Sequence, residues 1–182
     1  MVIRTSLKCL VLASVVGGLV LVQVGGAFAA GSNLVTNPRF AEGTTGWNAG
    51  TGDTLVVVPG GHHTPHAGEV SNSDAGANVC LLSDNPDTVS DATAGTYRSS
   101  IWLRGPTGAA IFSLKEHNPS HTTVVGEAKA RLVLTRKWRK VSLSYTVADP
   151  GDTLGISVVE GTAPPGLCFL ADDASMAVEN SP

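Results

Sequence analysis

The sequence predicts an all-β protein, a two-sheet antiparallel β-sandwich formed by one domain. Three observations predict it: short segments in which apolar and polar residues alternate, Gly, Pro, Asn and Asp breaks between those segments, and no stretch with a helical period. Alternation at period two places apolar side chains on one face of each strand, which is how a sheet half-buried against a second sheet reads.

The N-terminus comes first. Arg4 and Lys8 precede an uncharged apolar run, residues 9–24, and then the small-residue stretch 25–30. Ala27 and Ala29 frame Phe28 as A-x-A, so residues 1–29 read as a secretory signal peptide and residues 30–182 as the exported domain, free of the membrane after cleavage. A membrane anchor is the rival reading, because the run is nearly long enough to span a bilayer core; its glycine breaks and the A-x-A site favour processing.

Removing the leader takes two of twelve basic residues and none of the fifteen acidic ones, leaving a net charge of −5. That balance argues against nucleic acid as a partner. The one basic cluster, Arg136, Lys137, Arg139 and Lys140 around Trp138, reads as a solvated turn. Cys9 leaves with the leader, so Cys80 and Cys168 remain, an even count in an oxidising compartment that allows one pairing. On the chain-entropy account, closing so long a loop stabilises the fold by roughly 4 to 5 kcal/mol.

Early strands are expected over residues 55–58, 69–71 and 78–82. The clearest strand is 97–104, with Tyr97, Ser99, Ile101 and Leu103 on one face and Arg98, Ser100, Trp102 and Arg104 on the other. Gly105-Pro106 ends it. Residues 109–117 follow, with Ala110, Phe112 and Leu114 opposed to Ile111, Ser113, Lys115 and His117, and Asn118-Pro119 breaks the chain again. Strands at 127–134, 139–147 and 153–160 come next, the last two joined by the Asp149-Pro150-Gly151-Asp152 turn, and 168–178 closes the domain. Val141, Leu143 and Tyr145 are expected inward in one strand, and Leu154, Ile156 and Val158 in the next.

Searches for catalytic machinery return little. The chain holds no G-x-S-x-G elbow and no H-E-x-x-H. Glu116 with Asp172 and Asp173 could supply an acid and a base, but nothing places them across a cleft, so no enzyme is expected. His62, His63 and His66 in GGHHTPH invite a zinc reading, yet no fourth ligand lies nearby in sequence and adventitious affinity is the expected consequence.

Five segments in order resemble the cellulase-associated carbohydrate-binding modules of galactose-binding-like jelly-roll fold, especially those of secreted actinobacterial proteins. They are NLVTNPRFAEGTTGW (33–47), PHAGE (65–69), GTYRSSIWLRGP (95–106), SLKEHN (113–118) and PGLCFLADDASM (165–176). The resemblance implies a concave and a convex sheet bridged by a Cys80–Cys168 disulfide. It implies a polysaccharide or oligosaccharide partner held on the concave sheet of a monomer. Carried over by position, Trp102 and Arg104, with Lys115 and His117 beside them and Arg98 extending the row, form the expected sugar surface. Trp47 and Trp138 are assigned to structure.

The resemblance also implies a structural calcium near the chain ends, held by an acidic residue after the opening Phe and an Asp of the closing pair. Here Ala41 stands at the acidic position with Glu42 one residue later, so Glu42 and Asp173 are the expected ligands. Three positions that often carry aromatic rings hold His117, Val159 and Thr88 instead. They motivate an alternative: an extracellular structural or protein-interaction sandwich that has lost sugar binding.

Overall fold

The computed structural model describes residues 31–179 apart from 74–78, 148, 163 and 164. The expected signal peptide and the first residue of the strand expected at 78–82 lie outside those residues.

Ten strands and no helix occur among the described residues: β1 (Trp47–Ala49), β2 (Asp53–Pro59), β3 (His66–Asn72), β4 (Cys80–Asp84), β5 (Gly95–Arg104), β6 (Ala109–His117), β7 (Val124–Val133), β8 (Arg139–Val147), β9 (Thr153–Glu160) and β10 (Gly166–Val178). They form two antiparallel sheets of five, ordered β1-β4-β9-β6-β7 and β2-β3-β10-β5-β8. The strands expected at 109–117, 139–147 and 153–160 appear with those bounds. β4 starts later than expected, at the cysteine, and β7 starts earlier, at Val124. β1 went unanticipated because its three residues are too few to show a period.

The alternation expected for β5 holds except at Ser100: Tyr97, Ser99, Ile101 and Leu103 are buried while Arg98 is exposed and Trp102 and Arg104 are half-buried, but Ser100, expected outward, is buried too, its hydroxyl 2.8 Å from that of Ser175. Phe112 and Leu114 of β6, Leu154 and Ile156 of β9, and Phe169 and Met176 of β10 complete the shared interior. Each such side chain removed from water contributes about 1.5 to 3 kcal/mol, so this layer is the main source of stability. Cys80 of β4 and Cys168 of β10 are bonded across 88 residues, and the bridge ties one sheet to the other.

The opening motif folds into a plug at one end of the sandwich. Asn37, at φ 47°, donates through its amide to the Gly43 and Thr45 carbonyls and accepts from the Glu42 N–H. Trp47 donates its indole N–H to the Asn37 carbonyl at 3.0 Å and stacks on the buried Phe40 ring at 5.4 Å. The Phe40 ring packs against Gly68 of β3, where an added Cβ would sit 2.5 Å from the ring, so only glycine admits the plug.

Candidate functional site

Strand parity distinguishes inward from outward, but the identity of the sheet depends on partners far along the chain. β5 pairs with β8 and β10, whereas β6 pairs with β7 and β9. Trp102, Arg104 and Arg98 therefore face outward from one sheet, and Lys115 and His117 outward from the other. The single row expected from sequence is split between opposite sides of the sandwich, because the chain between Arg104 and Ala109 crosses between sheets instead of closing a hairpin.

The outer face of β1-β4-β9-β6-β7 carries a groove of about 420 Å³ whose lining includes Ser83, Asp84, Asp87, Lys115, His117 and His121. Asp84, at the end of β4, accepts hydrogen bonds from the Thr88 N–H at 2.7 Å, the Thr88 hydroxyl at 2.6 Å and the Ile156 N–H at 3.0 Å. Burial pushes its carboxyl up to about 6; the Thr88 bonds oppose that rise and the neighbouring Asp87 charge adds to it. Thr88, at a position where a ring was expected from the family resemblance, thus anchors a groove carboxylate.

Asp87 collects three partners on one oxygen. Thr153 donates its hydroxyl at 2.5 Å, and His117 Nδ1 and His121 Nε2 lie at 3.0 and 3.1 Å. The two imidazoles stack with centroids 4.1 Å apart and planes 20° apart, so each covers one face of the other and the exposed His121 presents the outer face of the pair. The hydrogen bond to Asp87 holds the His121 imidazole above its ordinary value. His121 reaches this position at φ 57°, just beyond the Asn118-Pro119 break. Gly155 of β9 makes room beneath: a Cβ there would come within 2.5 Å of Asp87 and 3.0 Å of Asp84.

The other outer face is built by the loop between β2 and β3. Gly60 N–H donates to the Pro65 carbonyl at 2.8 Å, closing the loop, which folds over β5 and β10. Asp172 is fully buried beneath it, accepting from the His62 N–H at 2.6 Å, the Asp173 N–H at 2.7 Å and the Thr64 hydroxyl at 3.3 Å. Burial raises the Asp172 carboxyl above its ordinary range, against the pull of those hydrogen bonds. A bulge follows at once: the β10–β5 register shifts between Asp172 and Ser175, and Asp173 takes φ 52°.

At the bulge, Asp173 Oδ1 accepts from Arg39 Nε at 2.7 Å, and Oδ2 lies 2.7 Å from His63 Nδ1 and 3.8 Å from His62 Nδ1. Burial works against the Asp173 charge, but the His63 and Arg39 contacts outweigh it and hold the carboxyl below its ordinary range. His62 stacks on Trp102 at 3.5 Å with planes 19° apart, covering one face of the indole expected to meet sugar. The Arg104 guanidinium lies 4.9 Å from the centre of the Trp138 ring. Arg98, at the far end of β5, is ion-paired with Glu179.

Glu42 is exposed and belongs to neither of the two groups of convergent metal-ligating side chains found among the described residues, His62-His63-Asp173 and Asp87-His117-His121. Imidazole nitrogens and a guanidinium surround Asp173, a donor set that does not suit calcium, which takes six to eight oxygens. Glu116 points between the sheets, where its Oε2 accepts from the Tyr145 hydroxyl at 2.5 Å; burial and that bond push the phenol up to about 12. Glu116 and Asp172 stand on different sheets and are both buried, so they do not form an acid–base pair across an open cleft. Asp84, Asp87 and His121 went unrecognised from sequence. The D-x-x-D of 84–87 and the H-x-x-x-H of 117–121, each spanning an Asn-Pro turn, are the signals that pointed to them.

No protein-family model matches the sequence, and no curated protein matches it. Solved structures do share the fold. The chain is similar to the CBM22-1 xylan-binding domain of Paenibacillus barcinonensis Xyn10C, with a TM-score of 0.63 and 17% identity, covering 84% of this chain and 98% of that one. It is also similar to TmCBM61, solved with β-1,4-galactotriose, at a TM-score of 0.56 and 20% identity, covering 81% of this chain and 99% of that one. An arabinose-bound α-L-arabinofuranosidase, MgGH51, matches at a TM-score of 0.59 and 16% identity over 84% of this chain, which spans 27% of the enzyme. At these identities the likeness shows a shared β-sandwich fold, the one used by carbohydrate-binding modules.

Proposed function

We propose that this protein is an exported, non-catalytic carbohydrate-binding module that lays a glycan along the groove of the β1-β4-β9-β6-β7 sheet. The observation that carries the reading is the grouping of Asp84, Asp87, Lys115 and the stacked His117–His121 pair in one open groove. Carboxylates accept hydrogen bonds from sugar hydroxyls and the ammonium donates them, while the outer face of the stacked pair, that of the exposed His121, offers a flat surface to the apolar side of a pyranose ring. The fold it shares with a xylan-binding domain and with a module solved with a galactotriose supports the same class of ligand.

The groove has no Trp or Tyr among its lining residues. Each stacked ring would add about 1 to 2 kcal/mol by apolar burial, so binding is expected toward the weak, millimolar end. Affinity electrophoresis of the exported chain across soluble plant and microbial polysaccharides tests the proposal. Retardation by at least one glycan, weakened by Lys115→Ala and His117→Ala, is the expected result. Loss on Trp102→Ala in place of those two would move the site to the opposite sheet. An inert panel would leave the protein-interaction sandwich as the better reading, which His117, Val159 and Thr88, standing where larger rings are expected, favour.

A further inference from the structure

The histidine loop lacked a further ligand in sequence; the fold delivers one from 110 residues away. We propose that His62 Nδ1, His63 Nδ1 and Asp173 Oδ2 form a binding site for a divalent transition-metal cation of the zinc and copper class, on the sheet face opposite the glycan groove.

Donor spacing comes first. A tetrahedral cation with nitrogen and oxygen ligands at about 2.0 to 2.2 Å holds those atoms roughly 3.3 Å apart. Asp173 Oδ2 stands 2.7 Å from His63 Nδ1 and 3.8 Å from His62 Nδ1, values on either side of that spacing. All three ligand atoms lie within 4.8 Å of one another. Shifts of about half an ångström would bring both carboxylate–imidazole distances to that spacing.

The second observation is an orphan. His62 Nδ1 is buried and has no hydrogen-bond partner among the described residues, an arrangement that leaves a polar atom unsatisfied unless something else meets it. The ring is not free to turn away, because it stacks on Trp102 at 3.5 Å while its own N–H backbone is held by Asp172. Arg39 Nε grips Asp173 Oδ1 and so directs Oδ2 at the imidazoles, the outer-shell support that metal-binding carboxylates usually have. His63 is exposed, which leaves a side open for water or an exchangeable ligand.

Ring orientation separates this group from the other one. His117 and His121 stack with planes only 20° apart and centroids 4.1 Å apart, so one cation cannot lie in both ring planes, as in-plane nitrogen lone pairs require. His62 and His63 are inclined by 61°, and their planes intersect. Imidazole with one carboxylate suits zinc, copper and nickel and discriminates against calcium and magnesium, which take oxygen.

The test uses the untagged exported chain, freed of metal with EDTA and titrated with Zn²⁺ by calorimetry and with Cu²⁺ by tryptophan fluorescence. One site per chain with micromolar affinity is expected, together with Cu²⁺ quenching of Trp102, and excess Ca²⁺ should displace neither ion. His62→Phe keeps a ring on Trp102 while removing the nitrogen, and should weaken Zn²⁺ binding about tenfold or more, as should Asp173→Asn. His63→Ala alters an exposed side chain and tests the same point if either of those variants loses its circular-dichroism signature. Binding no tighter than about 100 μM, binding unchanged by these substitutions, displacement by Ca²⁺, or loss on His121→Ala alone would each overturn the proposal. Glycan retardation is read in the absence of added metal, and the titrations in the absence of glycan, so the outcome of one leaves the other standing or falling by itself.

Discussion

The two outer faces of the sandwich are assembled in different ways. The groove of the β1-β4-β9-β6-β7 sheet is made largely by strands in register, with Lys115 opposite Gly155 and the short turns after β4 and β6 bringing Asp87 and His121 to one end. The opposite face is covered at one end by a loop, where His62 lies on Trp102 and Asp172 is buried beneath, while beyond it an open hollow of about 460 Å³ is lined by Arg98, Ser100, Lys140 and Ser175. The groove stays open, as a site for a long polymer must be. The end beneath the loop has closed around its polar groups, as a site for a single ion would.

The largest change should come from the bond that ties those faces together. Cys80→Ser with Cys168→Ser is expected to lower the unfolding free energy by roughly 4 to 5 kcal/mol, and urea denaturation measures it. Both faces should loosen together, because the bridge runs from the groove sheet to the loop sheet. A loss confined to one of them would break the comparison.

Next is the pH dependence set by Asp84. Its folded-state value of about 6 lies above the ordinary 3.8, so its stabilising contribution is present below pH 4 and is lost as pH rises through 6. Relative to Asp84→Asn, the wild type should lose about 2 to 3 kcal/mol between pH 4 and pH 7. Parallel stability curves for the two proteins would show that the carboxyl is not buried as described.

Gly155→Ala should cost about 1 to 2 kcal/mol and abolish glycan retardation, since the new methyl displaces Asp87 and Asp84. The near-ultraviolet signal of Trp102 under its histidine should stay as in the wild type, since the faces are built independently. The smallest effect is a titration: the His121 imidazole should titrate above the usual 6.5 and return toward it in Asp87→Asn, read by proton NMR. An unmoved midpoint would detach His121 from the groove.

Much of this architecture was legible from sequence. Alternation in 97–104 and 153–160 announced which side chains of β5 and β9 face the interior, because side-chain direction along a strand is a local property with period two. Glu116 shows where that reading stops: it shares a face with Phe112 and Leu114, and only its partner Tyr145, 29 residues away, explains a buried carboxylate there.

What the sequence determined by itself was the class of fold and the inward and outward faces of the main strands. Both follow from local stereochemistry. Only the tertiary structure decided that Trp102 and His117 stand on opposite sheets, and that a histidine loop meets Asp173 across the molecule. Strand partnership and loop docking are set by contacts between residues distant in sequence, and no periodicity within one segment encodes them.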